Sequence, residues 1–122
     1  MDFGEYIKAK RTKKNINLTK AAQMLGISSG YLSGIERGKR SAPSNDLLEK
    51  IADVLELSKK EKYQLYDLAA ESKQPPALAD DLNYYINQNL VIRDMLRYSM
   101  ESQLTAEDWE KVFTFVKNNY FY

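Results

Sequence analysis

The sequence predicts an all-α fold in two parts: five helices over residues 1–73, then a helical extension over residues 77–122. Three observations predict it. Apolar side chains recur at three- and four-residue spacing along the chain, and no segment shows the period-two alternation of a half-buried strand. Helix breakers are few and fall between the periodic segments, at Gly26, Gly38, Pro43 and the pair Pro75-Pro76. Two consecutive prolines cannot continue a helix and favour an extended connector, so residues 74–76 are expected to be a linker.

The first helix is expected over about residues 3–14, where Phe3, Tyr6, Ile7 and Lys10/Arg11 recur at helical spacing. Asn17 is placed to cap the second, which buries Ala21, Ala22 and Leu25 and ends at Gly26, where a left-handed residue is cheapest as glycine. Ile27 is an apolar turn residue, and Ser28 caps a third helix over about residues 29–37, with Leu32 and Ile35 inward and Gly38 closing it. A fourth helix, about 45–55, carries Leu47, Leu48, Ile51, Ala52 and Leu55 on one face. A fifth, about 59–71, carries Tyr63, Leu65, Tyr66 and Leu68. Past the linker, residues 79–87 and 91–101 read as two helices, with Leu82, Tyr85, Ile86, Ile92, Met95, Leu96 and Met100 as their apolar positions. Thr105 and Asp108 form a capping-box pattern that opens a last helix bearing Trp109, Val112, Phe113 and Val116.

Composition narrows the function classes. The 122 residues include no cysteine, which excludes disulfides, thiolate nucleophiles and cysteine-based zinc sites. They include no histidine, which removes the commonest general base and metal ligand. An enzyme is therefore not expected, nor a cofactor or metal. No apolar run approaches the ~20 residues of a membrane span, and the opening residues lack the apolar core of a signal peptide, so a cytoplasmic protein without membrane contact is expected. The net charge of +1 conceals an asymmetry. Residues 1–73 hold 14 Lys/Arg against 10 Asp/Glu, and residues 74–122 hold 4 against 7, so the two parts suit different partners.

The most informative stretch is INLTKAAQMLGISSGYLSGIERGK, from Ile16 to Lys39. Two short helices meet at a Gly-apolar turn, with the small Ala22 allowing a close crossing. The pattern LT-x-x-AA-x-x-LGIS-x-x-YLS-x-IE-x-G resembles the Cro/CI-type (XRE) family of bacterial and phage regulators, with agreement in register over about residues 3–68. The resemblance implies a five-helix lambda-repressor-like helix-turn-helix domain from a bacterium, phage or mobile element. It implies sequence-specific binding of double-stranded operator DNA by a homodimer, with repression of transcription as the outcome.

The resemblance also assigns roles. Asn17 would touch phosphate at the start of the second helix, and the start of the third, at Ser28, presents free N–H groups. Ser29, Gly30, Ser33 and Gly34 would occupy the base-reading positions, while Arg37, Lys39 and Arg40 would meet phosphate. Arg11 would form a structural ion pair with Glu36. The base-reading positions depart from the family, whose members carry long polar side chains there. Bidentate base pairs need Arg, Lys, Asn or Gln and are each worth ~1–3 kcal/mol of discrimination. Direct readout is thus expected to be thin, with specificity drawn partly from DNA shape. The cost of glycine within a helix suggests that Gly30 and Gly34 are needed small, for close approach of the helix backbone to a groove or another helix. The bland face also motivates an alternative, a protein-interaction module on the same scaffold (an antitoxin or a phage-encoded inhibitor) with DNA binding secondary or autoregulatory.

Other features admit two readings each. Lys8, Lys10, Arg11, Lys13 and Lys14 form either a DNA-facing patch or a solvated helix face. Asp80-Asp81 and Glu107-Asp108 suit helix N-termini better than metal binding. A local core accounts for Trp109 and Phe113. With Tyr120 and Phe121 they are also the candidate contacts of a homodimer, because Phe115 and the Tyr120-Phe121-Tyr122 tail exceed what one small face can bury.

Overall fold

The computed structural model describes residues 1–121, and Tyr122, read with the aromatic tail, lies outside them. Eight helices and no strand occur among the described residues: α1 (Phe3–Lys13), α2 (Leu18–Leu25), α3 (Ser29–Glu36), α4 (Asn45–Val54), α5 (Lys59–Glu71), α6 (Asp80–Gln88), α7 (Leu90–Glu101) and α8 (Ala106–Asn119). None is long and apolar enough to cross a membrane among the described residues.

One connector recurs four times. A residue in the left-handed region follows the helix (Asn15, Gly26, Glu56 and Gln103, φ between 51° and 72°). An apolar residue then tucks in half-buried (Ile16, Ile27, Leu57, Leu104). The next side chain caps the following helix, from Asn17, Ser28, Ser58 and Thr105. Paired backbone bonds close each corner. After α2, Ile27 N–H donates to Ala22 O at 3.0 Å and Gly26 N–H to Gln23 O at 3.2 Å, which satisfies carbonyls the helix end would leave orphaned. The sequence flagged only the glycine corner, because Glu and Gln carry no such signal and Asn a weaker one.

The chain divides into two compact units, Met1–Asn83 and Tyr84–Tyr122. In the first, Phe3, Tyr6, Ile7, Ala21, Leu25, Leu32, Ile35, Leu48, Ile51 and Leu65 are buried in one core. There α3 packs on α1 and α2, α2 on α4, and α5 on α1 and α4. Each fully buried Leu or Ile contributes ~1.5–3 kcal/mol relative to exposure, so Leu32 and Ile35 alone hold α3 firmly. This unit runs beyond the boundary expected at residues 74–76. Ala77 N–H donates to Ala70 O at 3.1 Å, Ala79 is buried, and Asn45 Nδ2 donates to the Asp80 carboxylate at 2.7 Å. The prolines break the helix, but the chain after them still finds hydrogen bonds and a slot on the same core.

The second unit departs further from expectation. Tyr85, Met95, Leu96, Met100, Phe113 and Val116 are exposed rather than inward, as is Leu82 just before it. Among the described residues from Tyr84 onward only Ser99 is buried, its hydroxyl donating to Met95 O at 2.7 Å. Phe113 therefore joins no local core, and Trp109 is half-buried. The physical reason is size: below about 40 residues a chain lacks the partner surface to enclose its apolar faces.

Candidate nucleic-acid interface

The site is built on α3, and α1 fixes where α3 lies. Gly4 makes the closest approach: a Cβ placed there would stand 2.5 Å from the carbonyl oxygens of both Ile35 and Glu36, so only glycine lets the start of α1 abut the last turn of α3. Arg11 ties the same turn. Its Nε donates to Glu36 Oε2 at 2.8 Å and its Nη2 to Glu36 Oε1 at 2.9 Å, while Nη1 donates to Ile16 O at 2.9 Å. Both side chains are largely buried, and the bonds to Glu36 raise the Arg11 pKa further above its usual value. One guanidinium thus joins α1, the α1–α2 corner and α3. Such fork-to-carboxylate pairs are directional as well as strong.

At the start of α2 the Asn17 side-chain oxygen accepts from Lys20 N–H at 2.8 Å, and at the start of α3 Ser28 Oγ accepts from Tyr31 N–H at 3.0 Å. Each cap satisfies the third N–H of its helix and leaves the two N–H groups before it without an intrahelical partner. Asn17, Ser28, Ser29 and Gly30 are exposed, Gly30 with nothing within 4 Å of a built Cβ, and Ser33 is half-buried. Arg37, Lys39 and Arg40 are also exposed, with Arg37 Nε reaching back to Ser33 O at 3.4 Å. The backbone N–H groups of Lys39 and Arg40 both donate to Gly34 O, at 2.8 and 3.2 Å, pinning their loop over the end of α3.

Gly34 itself is a correction. It is buried, and a Cβ there would sit 2.8 Å from Arg40 Cγ, so it faces the protein's own loop rather than the open side of α3. Its smallness accommodates the Arg40 stem, and the close approach expected of a groove is made here by a side chain of the same unit.

The basic run of α1 resolves mostly as structural. Lys10 pairs with Glu61, Arg11 with Glu36 and Lys14 with Glu56. The Lys10 ammonium and the Ser58 cap hold the Glu61 pKa down at about 2. The acidic pairs are likewise local. Asp80 accepts from Asn45, Asp108 closes the Thr105 capping box, and no cluster of metal-ligating side chains occurs among the described residues. Lys20 is an addition that the sequence stretch did not single out. It is exposed and three residues from Asn17 on the same face of α2, a spacing that was the available signal. Lys20, Arg37, Lys39 and Arg40 join no ion pair among the described residues, so all four remain available to an anionic partner.

Comparison with known proteins gives this geometry a family. A helix-turn-helix family model matches residues 7–62. The HTH-type transcriptional regulator SinR of Bacillus subtilis is 40% identical over 56 residues, which cover 46% of this chain and 50% of SinR, so the match spans half the length of that relative. An uncharacterised HTH-type transcriptional regulator of Mycobacterium tuberculosis is 37% identical over 109 residues, covering 86% of this chain and 77% of that protein. A solved complex of SinR protein with SinI protein aligns with a TM-score of 0.49 at 25% identity, covering 94% of each chain. With two capped helices joined at Gly26, a buried inner face on α3 and a relative aligned along most of both lengths, the chain belongs to the Cro/CI-type (XRE) helix-turn-helix transcriptional regulators.

Proposed function

We propose that this chain represses transcription in the cytoplasm as a homodimer on operator DNA, each protomer laying the open side of α3 in a major groove. The observation that carries the reading is the exposure of the helix starts at Asn17 and at residues 28–30, together with four exposed cations on the α2–α3 pair and its following loop, Lys20, Arg37, Lys39 and Arg40, that have no acidic partner among the described residues. Helix N-termini and Arg/Lys side chains are the groups that grip phosphate. A two-fold dimer would meet half-sites ~34 Å apart and double the contacts of each domain.

With Gly34 turned inward, the face offers Ser29, Gly30 and Ser33, and Arg37 is its one long side chain. Serine contacts any base and specifies little, so DNA shape and phosphate geometry would carry much of the selectivity. Selection of bound duplexes from a random pool tests this reading. A palindromic consensus with few fixed bases is expected. A salt titration adds a second check: Lys39→Ala should reduce the slope of log affinity against log salt by about 1 per protomer without changing the preferred sequence. Absence of DNA affinity at low salt would overturn the reading. It would favour the protein-interaction module instead, for which the uncovered apolar side chains after Tyr84 speak.

A further inference from the structure

We infer that α8 is the seam of the homodimer, two copies pairing antiparallel about a two-fold axis near Phe113. This deepens the dimer reading above and rests on it. The argument starts from what the second unit leaves open. Seven aromatic side chains between Tyr84 and Phe121 are 59–88% exposed. They are spread over α6, α7 and α8 and the residues just past α8, so one helix face carries only part of that exposed aromatic surface. Phe113 and Tyr120 share one face of α8, on a unit with no buried apolar side chain among its described residues.

The pattern on α8 selects the seam. Trp109, Phe113 and Val116, with Tyr120 just past its end, follow one another at four, three and four residues, a stripe along the whole helix and ~16 Å long. Trp109 is half-buried, while Phe113, Val116 and Tyr120 are exposed. At about 100° per residue, Glu110 and Lys117 fall on the same flank of that stripe. Only antiparallel pairing brings equivalent flanks of two identical helices together, and a two-fold axis near Phe113 then sets Glu110 of each copy opposite Lys117 of the other. The remaining charges favour a like partner. Residues 84–121 hold 4 Lys/Arg and 5 Asp/Glu, so two copies repel little, whereas a strongly charged partner would find no complementary field. Lys117 now lies over the Phe113 ring, 4.5 Å from its centroid, poised at the edge of the seam.

Sedimentation of the full chain across a micromolar range tests the assignment. The wild-type chain is expected to dimerise. Phe113→Glu should weaken dimerisation by about tenfold or more, with helix content unchanged by circular dichroism. Glu110→Lys and Lys117→Glu should each weaken it several-fold, and the double charge-swap variant should restore it. A dimeric wild type with Phe113→Glu equally dimeric would overturn the seam and leave the dimer reading standing. A double variant no better than the singles would overturn the antiparallel register. A monomeric wild type would overturn both the seam and the dimer reading.

Discussion

The contact between α1 and α3 can be tested with one methyl group. Gly4→Ala places a Cβ 2.5 Å from the Ile35 and Glu36 carbonyl oxygens, where a relaxed C···O contact needs ~3.3–3.6 Å. The helices must therefore part by about 1 Å, the difference between those separations. Overpacking of this kind costs ~1–3 kcal/mol. The same displacement stretches the Arg11–Glu36 bonds, now 2.8 and 2.9 Å, and hydrogen bonds to charged groups are worth ~1.5–3 kcal/mol. The better helix propensity of alanine returns at most ~1 kcal/mol. The balance is a loss of about 2–4 kcal/mol, or a Tm lower by roughly 10–20 °C for a domain of this size. Gly30→Ala is the control. Nothing stands within 4 Å of its built Cβ, so propensity acts alone and stability should rise by up to ~1 kcal/mol. Thermal and urea unfolding followed by circular dichroism reads both. The reasoning is refuted if the two variants move Tm in the same direction.

Three further outcomes follow from the same structure. Glu36→Ala strands a buried guanidinium and should cost ~3–5 kcal/mol in urea unfolding, whereas Arg11→Met combined with Glu36→Leu should cost far less; equal losses would contradict the desolvation argument. Because the Glu61 pKa is depressed from 4.5 to about 2, its ion pair stabilises the fold above pH 4.5 and is lost as pH falls towards 2. Glu61→Gln keeps an acceptor for the Ser58 N–H, so stability measured between those pH values should fall less steeply in the variant. Gln103 holds φ 57° at the α7–α8 corner, a conformation costing a non-glycine residue ~1–2 kcal/mol, so Gln103→Gly should raise stability by about 1 kcal/mol; a decrease in the hydrogen-exchange protection of α8 would count against it.

The sequence by itself determined what local chemistry can encode. Periodicity located every helix, Asn17, Ser28 and Thr105 were legible as caps, and Gly26 was legible as the turn. The family motif pointed to Arg11 and Glu36 as partners, and their side chains meet in the structure. Tertiary structure alone decided what depends on neighbours distant in the chain. Gly4 looks like any first-turn residue until the end of α3 arrives beside it, and Gly34 looks exposed until Arg40 folds over it. Lys10 and Lys14 read as a cationic face until Glu61 and Glu56 neutralise them. The apolar stripe of α8 is as clear in the sequence as that of α4. Burial, however, requires a partner surface as well as a stripe, and within one chain α4 has that surface while most of α8 does not.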